Sequence, residues 1–147
     1  MKISDFLSPA DVTVETYASN KGRLLQDLAT KAAGGLNLSA EHLTSELLKR
    51  EALGSTGMGG GVAIPHARIQ EVTKPFGVLA KLKQPLDFDA IDGLPVDLVF
   101  LLLLPGTSES GHLGALASVA RKLRESEALV QLRGASKASD LYSAIVG

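Results

Sequence analysis

Three histidines, no cysteine and one glycine-rich run set the reactive groups this chain can offer. The run Gly54-Ser55-Thr56-Gly57-Met58-Gly59-Gly60-Gly61 passes through Val62-Ala63-Ile64 to Pro65-His66-Ala67-Arg68. Imidazole is the natural side chain for a nucleophile that must be neutral near pH 7. Pro65 fixes the backbone and removes a donor just before it, and the glycines upstream allow a ligand or partner close approach. Ser55 and Thr56 add hydroxyl donors, Arg68 adds a cation, and loop N–H groups suit an anion. The segment reads as a histidine, His66, built to carry a phosphoryl group.

Two further residues fit that chemistry. His112 stands at the start of an expected helix, after the loop Gly106-Thr107-Ser108-Glu109-Ser110-Gly111. A helix N-terminus presents unpaired N–H groups and partial positive charge, which favours a neighbouring phosphate. Arg50 sits just before the glycine run, and a guanidinium fork matches phosphate oxygens. His42 falls inside an expected helix among polar neighbours and reads as solvated surface.

Other site chemistries fit poorly. No lysine follows the glycines as a phosphate-binding P-loop requires, and the dinucleotide pattern starting from Gly57 ends on Val62 instead of glycine. The three histidines give no His-x-x-x-His pair for zinc. The 106–110 loop lacks the second glycine of a nucleophile elbow. Asp87, Asp89 and Asp92 lack the glycine and terminal glutamate of a calcium-binding loop. No metal and no cofactor is expected.

The elements that must position these residues follow from periodicity. Asn20 to Ala33 reads as a helix with Leu24, Leu25, Leu28 and Ala32 on one stripe and Gly34-Gly35 as its stop. A second helix starts at Ser39, an N-cap type, with Leu43, Leu47 and Leu48 inward and Lys49-Arg50 near its end. Strands are expected at Gly61–Ile64, Phe76–Leu82 and Val96–Leu104, the last nearly continuous aliphatic as in a strand covered on both faces. Asp92-Gly93 marks a turn. Leu113, Leu116, Ala117, Ala120 and Leu123 recur at helical spacing after His112. A short helix follows from Ser126 to about Arg133, and a last one, capped by Ser139, carries Leu141, Tyr142 and Ile145. Helices alternating with short strands predict an α/β fold, three layers with a central mixed β-sheet flanked by helices.

Composition narrows the function classes. The 147 residues fit one domain able to bury a core, and 45% apolar with 21% charged residues is ordinary for a globular protein. Fifteen basic against sixteen acidic residues give a net charge of −1, so no basic surplus supports nucleic-acid binding. The longest apolar run, Leu98 to Leu104, is too short to cross a membrane, and the N-terminus lacks a signal peptide's apolar core. A cytoplasmic location, with no membrane insertion, is expected.

At these residues the chain resembles the enzyme IIA domains of the fructose–mannitol class (type 2) in the bacterial phosphoenolpyruvate-dependent phosphotransferase system, and most of all the nitrogen-regulatory enzyme IIA proteins. The likeness rests on the block Arg50 to His66, on Phe88-Asp89-Ala90-Ile91-Asp92-Gly93-Leu94-Pro95-Val96-Asp97-Leu98, and on His112-Leu113-x-x-Leu116-Ala117-x-Val119-Ala120-Arg121. It extends over 1–147, as a single enzyme IIA domain. It implies that His66 accepts phosphate, attacking through Nε2, that His112 is a second active-site histidine and that Arg50 lies near the phosphate, with Ser55 or Thr56 as phosphate-binding donors. The implied partner is a histidine-containing phosphocarrier protein, nitrogen-related or general, and the implied role is regulatory. A sugar-transport enzyme IIA that feeds an enzyme IIB, or a non-enzymatic anion-binding module, are the alternatives. Ala67 and Gly111 depart from the family's usual pattern, which has glycine after the histidine and a larger polar residue before the second one. Because Met58 lies amid glycines with little to pack on, a docking face is expected around Met58 and His66.

Overall fold

The computed structural model describes residues 1–106 and 111–147, and of residues 111 and 112 the backbone alone. Its elements run β1 (Val12–Thr16), α1 (Lys21–Leu36), α2 (Ala40–Ala52), β2 (Gly57–Gly59), β3 (Val62–Ala63), β4 (His66–Ile69), β5 (Phe76–Leu86), β6 (Val96–Pro105), α3 (Gly111–Lys122), α4 (Ser126–Gly134) and α5 (Ala138–Val146). One mixed six-stranded sheet has the order β1-β5-β6-β3-β2, and β4 also pairs with β6. β5 and β6 are antiparallel, whereas β3 and β4 run parallel to β6 and lie beside successive stretches of it. The α/β reading of the sequence is thereby met, with helices on both faces of the sheet.

The aliphatic run in β6 explains the layering. Successive strand side chains point to opposite faces. Val99, Leu101 and Leu103 therefore join the core under α1 and α2, which holds Leu24, Leu25, Leu28, Leu43 and Leu47. Leu98, Phe100, Leu102 and Leu104 join the opposite core with Val119 of α3, Leu132 of α4, and Leu141 and Ile145 of α5. Phe6, from the N-terminal segment, meets Phe100 edge to face at 6.2 Å between ring centroids. No helix among the described residues is long and apolar enough to cross a membrane.

Local chemistry moves several boundaries. Asn20 caps α1, its side chain accepting from the Arg23 N–H at 2.8 Å, but Gly34-Gly35 does not stop the helix, which reaches Leu36 and ends on Asn37 in the left-handed conformation. A Cβ on Gly35 would lie 2.9 Å from the Phe76 ring, so that glycine serves close packing. Ser39 caps α2 as expected, yet Leu48 is exposed. In α3 the buried stripe is Ala115 and Val119, continued by Leu123 just past its end, which turns Leu113 to solvent. Lys137, with no side-chain cap bond, occupies the N-cap of α5 in place of Ser139. β5 continues past Leu82 through Pro85, where its pairing with β6 shifts register and a missing N–H is tolerated.

Candidate functional site

His66 opens β4 opposite Leu102 of β6. Between β3 and β4 the backbone leaves the ladder for two residues, yet stays bonded: the Leu102 N–H donates to the Pro65 carbonyl at 2.9 Å. The Ile64 N–H donates to the Thr56 carbonyl at 3.1 Å. This step in the strand turns the Ile64 carbonyl toward the imidazole, and His66 Nδ1 lies 2.8 Å from it. A carbonyl oxygen can only accept, so Nδ1 holds the proton and Nε2 of the neutral ring holds the free lone pair.

Burial is the largest influence on that ring and pushes its pKa below the usual histidine range. The Ile64 carbonyl acts in the opposite direction, the Arg50 guanidinium lowers the pKa further, and the Glu51 carboxylate raises it. The net direction is downward, which keeps the imidazole neutral and nucleophilic at neutral pH.

A depression of about 410 Å³ brings His66 together with Arg50, Lys49, Glu46 and Leu53 at the end of α2, Arg68 of β4, and Leu113 and Leu116 of α3. Arg50 lies in the last turn of α2, where its Nη1 donates to the Gly54 carbonyl at 2.9 Å. Cations near a helix C-terminus are favoured by its dipole. Two of the residues expected from sequence, His66 and Arg50, thus share one pocket. A larger hollow of about 610 Å³ between α1 and α2 is lined by neither a histidine nor an arginine. His42 is half exposed on α2, with Nε2 3.4 Å from a Glu71 carboxylate oxygen. The backbone of α3 begins at Gly111, so His112 falls in its first turn. The His112 side chain, and the loop from Thr107 to Ser110, lie outside the described residues.

The hydroxyls of Ser55 and Thr56 are placed differently from the expectation. Ser55 Oγ donates to the Phe88 carbonyl at 2.7 Å and accepts from the Gly57 N–H at 3.0 Å. The Thr56 hydroxyl, buried, donates to the Glu51 carboxylate. Both hydroxyl protons are already committed, one to the Phe88 carbonyl and one to Glu51 of α2, so either residue would donate to a phosphate only by breaking that bond. Met58 is corrected as well. Half-buried, it packs against the core beneath α3 to α5, while Leu53 at 85% and Leu113 at 62% exposure carry the apolar surface beside His66.

Sequence reasoning missed Glu51, which is only 8% exposed. Its carboxylate accepts from the Thr56 N–H at 2.9 Å and pairs with Lys21 at 2.8 Å. Lys21 also donates to the Phe88 carbonyl at 3.1 Å and lies 4.7 Å from the Phe88 ring centroid. A signal was present: a glutamate in the last turn of a helix opposes the helix dipole and needs a partner to hold it there. At the other end of the glycine segment, Gly59, Gly60 and Gly61 all have positive φ. There Asp92 accepts from the Gly60 N–H at 2.9 Å, and Arg133 donates to the Gly60 carbonyl at 2.7 Å.

Residues 5–146 match the family described as phosphoenolpyruvate-dependent sugar phosphotransferase system, EIIA 2. A nitrogen regulatory protein of Bradyrhizobium diazoefficiens is 41% identical over 145 residues, which cover 99% of this chain and 95% of that protein. The crystal structure of nitrogen regulatory protein IIA-Ntr from Neisseria meningitidis superposes with a TM-score of 0.91 at 32% identity, covering 97% of this chain and 98% of that one. The fructose-specific EIIABC component of Bacillus subtilis is 31% identical over 134 residues, 90% of this chain but 21% of that protein.

Proposed function

The chain belongs to the EIIA 2 family of the phosphoenolpyruvate-dependent sugar phosphotransferase system, and on that premise we propose that it carries phosphate on His66 as a regulatory, nitrogen-related enzyme IIA. The donor is the phosphohistidine of a small phosphocarrier protein. Nε2 of His66 attacks the phosphorus in line. The donor's N–P bond breaks, its electron pair returns to the donor imidazole, and the new bond forms at Nε2. Nδ1 keeps its proton throughout, directed at the Ile64 carbonyl. Arg50 offsets the phosphoryl charge, and His112, whose backbone falls in the first turn of α3, is assigned to the same phosphate by the family resemblance. In such a transfer, positioning and charge stabilisation supply most of the rate, and no cofactor is needed to balance the step.

The observation that carries this reading is the tautomer. A ring pinned through Nδ1 at the mouth of a pocket shared with Arg50 offers one nitrogen for attack. The regulatory role is supported by the higher identity to the nitrogen regulatory protein than to the fructose component. The phosphocarrier docks on Leu53, Leu113 and Leu116, which ring the pocket. We place this exchange in the cytoplasm.

Incubation with phosphoenolpyruvate, enzyme I and a phosphocarrier should put one acid-labile phosphate on the wild-type chain and none on a folded His66→Ala variant. Arg50→Ala should slow transfer at least ~10-fold, equivalent to ~1.4 kcal/mol of barrier. Phosphate mapped by mass spectrometry to His42 or His112 would overturn the assignment. Rapid transfer onward to a sugar-specific enzyme IIB would replace the regulatory role with a transport one.

A further inference from the structure

Thr56 and Glu51 are the buried polar and charged side chains among the described residues, and they stand on one line of contacts that ends at the His66 ring. Lys21 pairs with Glu51 at 2.8 Å. Glu51 accepts from the Thr56 N–H at 2.9 Å, and the Thr56 carbonyl accepts from the Ile64 N–H at 3.1 Å. The Ile64 carbonyl in turn faces His66 Nδ1 at 2.8 Å. Three hydrogen bonds thus connect a desolvated carboxylate to the nitrogen opposite the one that would attack. We propose that Glu51 is a positioning residue for phosphoryl transfer, acting through Thr56 and Ile64 to fix the tautomer and aim of His66. The proposal rests on the phosphocarrier reading given above.

The energetics favour a specific device over a packing accident. A carboxylate taken out of water is costly unless it is paired and hydrogen-bonded, and an apolar residue at this position would avoid that cost. Glu51 instead spends both oxygens on Thr56 and one of them also on Lys21. The backbone N–H of Thr56 cannot turn away from Glu51 without breaking that bond. The Thr56 carbonyl, on the same residue, is therefore held where Ile64 needs it. Without this anchor the Thr56 carbonyl is free to move away from the Ile64 N–H, which loosens the two residues that leave the ladder between β3 and β4. The imidazole would then sample both tautomers, and in the one protonated on Nε2 no lone pair faces the donor.

Two variants of the full-length chain test this. Glu51→Gln keeps the shape and removes the charge. The double variant Lys21→Met/Glu51→Leu replaces the whole ion pair with apolar groups, a change that often preserves stability. Nitrogen-15 NMR of the His66 ring reads the tautomer without any phosphate, and steady-state transfer from the phosphocarrier reads kcat and KM separately. The wild-type ring should be protonated on Nδ1. The double variant should remain folded, show mixed tautomers, and lose about 10-fold in kcat with KM within about twofold, and Glu51→Gln should move the same way by a smaller factor. Should the double variant fail to fold, Glu51→Gln carries the same two measurements. Wild-type ring shifts, or an unchanged kcat, in a folded variant would overturn the proposal. If the wild-type chain accepts no phosphate, the phosphocarrier reading fails, while the ring shifts still decide whether Glu51 sets the tautomer.

Discussion

The two ends of the glycine segment are held by opposite means. Where it leaves α2, the brace is the buried pair of Lys21 and Glu51, with side chains 19% and 5% exposed. At its tip the brace is Arg133, which makes two bonds to Asp97 at 2.9 and 3.0 Å and one to the Gly60 carbonyl, all on the surface. Each end fixes the backbone of a glycine-rich turn. They differ in dielectric: a largely buried pair is screened little by salt, a surface pair considerably more. His66, the proposed nucleophile, is attached to the buried end. Rigidity is thus concentrated where a ring must be aimed, and the tip is secured only enough to keep its shape.

Breaking the buried end should cost most. Glu51→Ala leaves Lys21 with only the more distant Asp89 carboxylate at 3.7 Å and removes both acceptors of Thr56, so it should lower unfolding free energy by about 3 kcal/mol, measured by urea titration; a loss below ~1 kcal/mol would mean that the two ends are equivalent. Gly61→Ala strikes the tip. Gly61 has φ of +82°, and an added Cβ would come within 2.6 Å of the Arg133 guanidinium. That side chain can shift, so the expected loss is the left-handed backbone cost of about 1–2 kcal/mol. Arg133→Ala should cost at most ~1 kcal/mol, and less at high salt. A larger, salt-insensitive loss there would move the tip into the same class as the buried end.

The smallest expected effect is one of pH. The His66 pKa is lowered in the folded chain, chiefly by burial, so the unfolded chain binds the proton more readily. Stability then falls as pH drops through the unfolded histidine value of about 6.5 toward the folded one, and it is fully present above that range. The difference between wild type and His66→Gln, followed by thermal melts from pH 7.5 to 5, should isolate this slope from those of the other histidines. A slope of the opposite sign would mean that the ring gains a proton on folding.

Periodicity made the fold legible in the sequence, and side-chain type singled out the candidate site, whereas the reading failed where tertiary packing decides. The strict alternation hidden in the Val96–Leu104 run is one apolar strand seen from two faces, so layering was legible. The caps Asn20 and Ser39 were legible because their side chains act within three residues. Gly35 was misread as a stop because its partner, the Phe76 ring, is distant in sequence. Of the stripe expected after His112, Leu116, Ala120 and Leu123 do meet the core, but Leu113 is exposed and the smaller Ala115 and Val119 are the fully buried residues of α3. At the site, His66 and Arg50 announced themselves by chemistry. Glu51 showed only as a carboxylate at an unfavourable helix end, and the convergence of Thr56 and Lys21 on it was not legible because Lys21 belongs to another helix. For the same reason Ser55 and Thr56 read as spare donors while their protons are already placed.

The attachment of His66 to β6 has a kinetic consequence. The Leu102 N–H bonded to Pro65 belongs to the central strand β6 in its buried Leu98–Pro105 stretch, so freeing the segment around His66 requires an opening close to global unfolding. Amide hydrogen exchange at Leu102 and Ile64 should accordingly be among the slowest in the chain. A carrier with such an acceptor meets each partner with the reactive group already ordered, and little conformational entropy is lost on encounter. If His66 carries phosphate as proposed, the information a partner receives is the charge on one nitrogen held by an ordered strand.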